Sequence, residues 1–373
     1  MNNSNDNNQI YDLVFIGSGA TMLLEASYQA NLGKKVIVIE KGSEPFGAWK
    51  SIDLFGYTKV ENAVHYLLPS SSAINFLQNN LGLEIETSNS KFRVIRIPFF
   101  NKTIFLKYDG LLSRLYSYLK SSKRPVFHFF LFFLKSLTGA IKPNTSVYFK
   151  DGSYSLTKKI SAIVKFNNVR INFNTEIFSV EKLGSKKFLL KTNKGSVNTQ
   201  GVVFSHGVKM PLIHIGQKRL PLLTKRYYRP SIHLLIEVPD QSKWQTKCEV
   251  IFSDHKRIKY VHDITRFCHS NDEKKKLSYF RIFVVALNPN VVFHSSISSD
   301  IKNDLLEFKI IPKSAELADF KWTDIFLPSL ITKDLQDIVE FLGDGSFYLQ
   351  TENFTESIEK RINEWQNHEF MSE

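Results

Sequence analysis

The sequence predicts an α/β protein that opens on a Rossmann-like nucleotide-binding unit. Three observations support this. An apolar run, Leu13-Val14-Phe15-Ile16, reads as a buried strand and breaks at Gly17-Ser18-Gly19. The stretch Thr21 to Leu32 contains neither Gly nor Pro and stops at Gly33, which predicts a helix. A second buried strand, Lys35 to Ile39, ends on Glu40, 23 residues after Gly17.

Each part has a chemical reason. Gly17 permits the tight turn, and Gly19 lets backbone N–H groups approach a pyrophosphate. Ser18, Ala20 and Thr21 share that helix N-terminus. Glu40 is placed to accept hydrogen bonds from ribose hydroxyls, with Lys41 beside it. The third glycine of the fingerprint is absent, since Met22 stands there. The helix is therefore expected to stand slightly further from its strand.

A chain of 373 residues with 43% apolar content can bury a sizeable core and is expected to hold two domains. The net charge of +13 attracts anions, whether nucleotide, phosphorylated substrate, nucleic acid or anionic membrane. The lysines are scattered; the triplet Lys274-Lys275-Lys276 lies in a polar segment that reads as a solvated loop. No recognition motif accompanies the charge, so nucleic acid is not an expected partner. Cys248 and Cys268 are too few for a disulfide framework or a metal site, which fits a cytoplasmic protein without a metal. Residues 1–9 are polar and Asn-rich and read as a disordered lead-in; they lack the basic and apolar regions of a signal peptide.

After Glu40, Gly42, Pro45 and Gly47 mark an irregular loop. Here the sequence resembles the FAD-binding superfamily that contains amine oxidases, protoporphyrinogen oxidase, phytoene-type desaturases and UDP-galactopyranose mutase. In that group a Gly-Gly-Arg-like turn against the cofactor follows the ribose-binding acid. The counterpart is Phe46-Gly47-Ala48-Trp49-Lys50, which keeps one glycine and replaces the usual basic or polar pair with Trp49-Lys50. A hairpin running from Phe55-Gly56-Tyr57 then delivers Glu61-Asn62-Ala63-Val64-His65. The resemblance places Asn62, Ala63, Val64 and His65 against the isoalloxazine, and Gly47, Ala48 and Trp49 against the cofactor. His65 is the catalytic candidate, although a histidine on an apolar stretch is more often a satisfied core residue. A second, nicotinamide-binding GxGxxG, as in flavin monooxygenases, is not found downstream.

Further along, Ser70 to Leu81 reads as a helix, and residues 84–149 carry no family motif. Val126 to Leu134 is nine residues with five Phe, too short to span a bilayer. It reads as a buried helix, as the lining of an apolar substrate tunnel, or as a peripheral membrane patch between Lys123-Arg124 and Lys135. Asp151-Gly152 opens a helix through Val164, and Val169 to Ile177 reads as a strand. A meander to Val202-Val203-Phe204-Ser205 follows. This order resembles the returning part of the family's FAD domain, where the residue at Ile177 contacts adenine through its backbone. Residues 210–325 read as further strands, clearest at Ile232–Val238 and Tyr279–Leu287. Two acids compete for the family's final cofactor turn. Glu352, ahead of Phe354 and the last helix, is favoured over Asp344, which reads as part of the turn before a strand.

The resemblance implies a discontinuous Rossmann-like FAD-binding domain over 10–72, 150–212 and 325–373. A mixed sheet-and-helix substrate domain takes 73–149 and 213–324. It implies non-covalent FAD and an oxidoreductase that removes a hydride from a C–N or C–C bond of a small substrate, apolar or anionic. Two alternatives stay open: a mutase using reduced FAD on a nucleotide sugar, and a degenerate member, suggested by the departures at positions 22, 48 and 351.

Overall fold

The computed structural model describes residues 9–62, 65, 67, 70–87, 91–97, 102–107, 147–205, 211–221, 225–239, 249–252, 255–270, 280–288, 291, 294–329, 332–349 and 354–366. Its centre is a five-stranded sheet of Arg170–Asn172, Val36–Ile39, Leu13–Ile16, Val202–Ser205 and Ser346–Leu349, in that spatial order. Every pairing is parallel, with Leu13 opposite Val36, Val202 opposite Val14 and Val203 opposite Phe347. Numbered along the chain, the strands run 3-2-1-4-5. The order reverses beside Leu13–Ile16, and ligands of such sheets bind where the carboxyl ends of the strands meet that switch point.

The continuous apolar runs follow from burial on both faces. Leu13, Phe15, Val36, Val38 and Val203 face one core. Val14, Ile16, Ile37, Ile39, Val202 and Phe204, one residue out of phase, face another. The first core is closed by helices α1 (Ala20–Asn31), α2 (Ser71–Asn79) and α3 (Ser153–Phe166), with the C-terminal helix Phe354–Trp365. The second is closed by a six-stranded sheet that includes Ile177–Gly184, Lys187–Thr192 and Gly195–Thr199, and by the helix Thr332–Leu342. Met22 is buried in the first core. Where a glycine would bring the helix close, a thioether fills the space, and its burial contributes about 1.5–3 kcal/mol.

A seven-stranded sheet forms a third layer. Its strands run Glu316–Ser329, Lys225–Glu237, Phe280–Leu287, Ile258–Asp263, Glu249–Phe252, Lys91–Ile97 and Lys102–Lys107. It is antiparallel except where Glu249–Phe252 meets Lys91–Ile97. The helix α4 (Ile297–Glu307) packs on it through Ile297, Ile301 and Leu305. The hairpin of Ser51–Leu54 and Tyr57–Glu61 lies between this layer and the parallel sheet: Leu54, Tyr57 and Val60 pack with Leu235, Ile282 and Val284.

The parallel sheet thus draws its strands from residues 13–39, 170–205 and 346–349, and most of the seven-stranded sheet comes from 91–107 and 225–323. No helix among the described residues is long and apolar enough to cross a membrane. The segment Val126–Leu134 and residues 1–8 lie outside the described residues.

Candidate functional site

Three loops leave the carboxyl edge of the parallel sheet side by side. The first is Gly17-Ser18-Gly19, where Gly17 has φ +90° and its N–H donates to Ile39 O at 2.8 Å. A residue with a Cβ would be strained there. α1 then starts with Gly19 at its N-cap, with no side-chain cap and no acidic residue in the first turn. A Cβ built at Gly19 would meet nothing within 4 Å. The first N–H groups of a helix have no intrahelical partners and carry the positive end of its dipole, so this terminus suits an anion approaching the backbone.

The second loop begins at Glu40. Its Oε2 accepts from Ser18 N–H at 2.8 Å and Ser18 Oγ at 2.6 Å, while Oε1 accepts from Gly42 N–H at 2.7 Å. These bonds fix the carboxylate beside the glycine turn before any ligand is considered. Two carboxylate oxygens offer about four acceptor positions, so Glu40 retains capacity for a further donor. The third loop runs antiparallel to it: Thr175 N–H donates to Glu40 O and Asn174 N–H to Gly42 O, both at 2.9 Å. Lys41 pairs with Glu176 at 3.0 Å, and Ile177 opens the next strand. The structure therefore brings Gly17–Thr21, Glu40–Lys41 and Ile177 together on one edge.

The chain then turns back towards Ser18. Phe46 N–H donates to Ser18 O at 2.9 Å, with Phe46 at φ +75° and Gly47 at φ +53°. Phe46 is buried, and a left-handed non-glycine residue stores on the order of 1 kcal/mol or more of strain. The short helical turn Gly47–Trp49 that results carries Trp49 onto His65, with ring centroids 3.9 Å apart and planes inclined by 12°. The Trp49 ring also meets Phe354, the first residue of the C-terminal helix, at 4.8 Å.

His65 Nε2 lies 2.8 Å from Ala48 O. A carbonyl only accepts, so Nε2 carries the proton and Nδ1 the lone pair. Burial pushes His65 down to about 4, against the opposing effect of the Ala48 bond, and the ring is neutral at pH 7. Asn62 N–H donates to Lys50 O at 3.3 Å, which ties the end of the hairpin to the same turn.

The other expected residues divide. Ala63, Val64 and Glu352 lie outside the described residues. Asp344 sits at the amino end of its strand, on the opposite edge of the sheet, where it accepts from Ser185 Oγ at 3.2 Å. It makes the turn before that strand and is not brought to Glu40.

Sequence reasoning passed over Glu61, Tyr148 and His233. Glu61 ends the hairpin and is buried; its Oε1 accepts from Ser153 N–H at 2.6 Å and its Oε2 from the Tyr148 hydroxyl. His233 Nε2 lies 2.8 Å from the Glu61 carbonyl. These residues sit far apart in sequence, and the one local signal is an acid in a strand otherwise closing on apolar Val60.

Neither a protein-family model nor a curated protein matches this sequence. Solved structures do match over nearly the whole chain. A protein from Exiguobacterium sp. 255-15 assigned as a protoporphyrinogen oxidase has a TM-score of 0.66 at 10% identity, covering 96% of this chain and 98% of that one. Cyclohexylamine oxidase from Brevibacterium oxydans IH-35A gives 0.64 at 11%, with 96% and 98% covered. A putrescine oxidase bound to putrescine gives 0.63 at 11%, with 96% and 99% covered. The chain shares the fold of these oxidases. In this amine oxidase-like frame the Gly17 turn, Glu40 and Ile177 occupy the switch-point edge of the parallel sheet. The hairpin packs on the seven-stranded layer, and the loop carrying the Gly47–Trp49 turn is tied to the edge at Ser18 and to the hairpin at Asn62.

Proposed function

We propose that this protein is an FAD-dependent oxidoreductase that oxidises a C–N or C–C bond of a small molecule. The observation that carries the reading is the pairing of an uncapped, acid-free helix N-terminus with the pinned Glu40 carboxylate beside it. That donor set fits the two ends of a dinucleotide: N–H groups of Gly19, Ala20 and Thr21 for the pyrophosphate, a carboxylate for ribose hydroxyls. The backbone of Asn174 to Ile177 then borders the adenine.

In this assignment, FAD, when bound, supplies the acceptor for the hydride. Everything else falls to the chain. Gly47, Ala48, Trp49 and Asn62 to His65 form a wall for the ring system, with the Trp49 ring in contact with both His65 and Phe354. His65 serves as an uncharged, oriented part of that wall: its one N–H is committed to Ala48 O, and its low basicity makes it a poor proton acceptor at pH 7. The parallel-sheet unit (10–72, 150–212 and 325–373) is the cofactor domain. The sheet from 73–149 and 213–324 is the substrate domain, and Glu352 supplies the last cofactor contact. The amine oxidases of the same fold make primary amines the first substrates to try.

The test is anaerobic mixing of FAD-loaded protein with a panel of amines and apolar polyenes. Bleaching of the 450 nm flavin band by one class is the expected result. Turnover seen only after dithionite reduction, on a nucleotide sugar, would move the chain to redox-neutral chemistry. Firm FAD binding with no bleaching and no turnover would leave a flavin-binding protein without this activity.

A further inference from the structure

Glu61 joins three parts of the molecule at one residue. Its carboxylate reaches the N-terminus of α3 through Ser153 N–H at 2.6 Å and takes the Tyr148 hydroxyl from the strand Val147–Phe149. Its carbonyl accepts from His233 Nε2 at 2.8 Å, and His233 Nδ1 meets Thr323 Oγ1 at 2.8 Å. A carbonyl only accepts, so Nε2–H donates to Glu61 and Nδ1 takes the Thr323 proton. His233 and Thr323 belong to paired strands of the seven-stranded sheet, and α3 packs on α1.

The site is built around the carboxylate. Glu61 is 1% exposed. Gly152 stands at φ +69°, and a Cβ there would lie 2.8 Å from Glu61 Oε1 and 3.1 Å from Phe267 Cβ. Only glycine lets α3 begin where the carboxylate can reach it. The next residues of the chain are Asn62 to His65, the wall against which the proposed function sets the flavin.

We propose that Glu61 is a positioning residue: by holding α3 and the seven-stranded sheet at once, it fixes Asn62 and His65 against the flavin, and its protonation state changes the environment of the bound ring. This rests on the flavoprotein reading above. The titratable groups around it are Tyr148, Arg266, Cys268, His233 and, across the Tyr148 ring, His262. Tyr148 is held well above its ordinary value by burial and by Glu61, and the Cys268 thiol is pushed up by burial, so both stay neutral. Burial pushes His233 down to about 4, so it too is uncharged at neutral pH. Arg266 is paired with Glu86. Asp263, next to His262 on the neighbouring strand, is also raised by burial, against the lowering effect of its Thr265 bonds. Burial raises Glu61 to about 7, against the lowering effect of the Tyr148 and Ser153 bonds, which brings its titration to neutrality.

The experiment follows the flavin absorption spectrum and the reduction potential of the FAD-loaded full chain from pH 5 to 9. The wild type, Glu61→Gln and Tyr148→Phe are compared. A ¹³C-imidazole NMR titration of the apoprotein, with His65 assigned by its loss in His65→Gln, gives a readout independent of the cofactor. The wild type is expected to show a spectral transition centred near pH 7, mirrored by the His65 resonance. Glu61→Gln should lose it, and Tyr148→Phe, which removes a bond favouring the carboxylate, should move the midpoint to higher pH. A transition that survives in Glu61→Gln, or a midpoint unmoved by Tyr148→Phe if Glu61→Gln does not fold, overturns the inference while leaving the flavoprotein reading intact. A chain that takes up no FAD overturns both.

Discussion

At the scale of single residues, Glu40 and Glu61 are two acids with opposite environments. Glu40 is half-buried and collects three donors from the cofactor edge. Replacing it with Ala removes a ribose partner and frees the turn at Ser18 and Gly42. FAD affinity, measured by fluorescence titration, should fall by about 1–3 kcal/mol, roughly 5- to 150-fold; an unchanged affinity would reduce Glu40 to a loop brace. Its place beside the glycine turn was legible because the turn, the helix and the acid lie within one short stretch of chain. Glu61 was not legible, because its partners Tyr148, Ser153 and His233 come from elements up to 172 residues away. Met22 was read as a departure from the fingerprint. In the fold it is core packing, and Met22→Ala should cost about 2–5 kcal/mol in urea unfolding rather than restore a missing glycine.

Among elements, the helices are held by polar ties that hydrophobic periodicity does not reveal. Glu25 of α1 is buried and accepts from Arg361 Nε at 2.9 Å, Arg361 Nη2 at 2.6 Å, Trp365 Nε1 at 2.9 Å and Gln29 Nε2 at 2.7 Å. All four acceptor positions are used. This ties the C-terminal helix Phe354–Trp365, whose first residue meets the Trp49 ring at a tilt of 50°, to the helix that starts at the glycine turn. Glu25→Ala removes the carboxylate shared by Arg361 and the Trp365 indole, and leaves Arg361 with Glu364 Oε1 at 2.8 Å. It is expected to lower stability by about 1–3 kcal/mol; a loss under 1 kcal/mol in denaturant melts would show that the tie is solvated. Gly152→Ala should also be costly, by more than about 2 kcal/mol, since it combines a left-handed backbone with a clash at the Glu61 carboxylate. The strands and helices themselves were readable from apolar runs and Gly punctuation. α1 begins at Ala20 and α3 at Ser153, each right after a glycine.

For the whole molecule, the parallel sheet was legible because both its faces are buried, which writes unbroken apolar runs into the sequence. The seven-stranded layer was legible only as scattered strands: its order joins residues 91–107 to 225–329, a pairing that no local pattern encodes. The interface between the layers carries a pH dependence. The carboxyl of Glu61 is raised from 4.5 to about 7 on folding, so its contribution to stability is present below pH 4.5 and is lost as pH rises through about 7. The wild type should therefore lose stability relative to Glu61→Gln between pH 4 and 8, by on the order of 3 kcal/mol. Parallel curves for the two proteins in pH-dependent urea titrations would rule that out. The central claim, that the switch-point edge from Gly17 to Thr21 with Glu40 and Ile177 is an FAD site, is tested most directly by titrating FAD into the purified chain and reading bound flavin by absorbance. The account predicts saturable binding at one FAD per chain, weakened by Glu40→Ala; a colourless protein that takes up no FAD would contradict it.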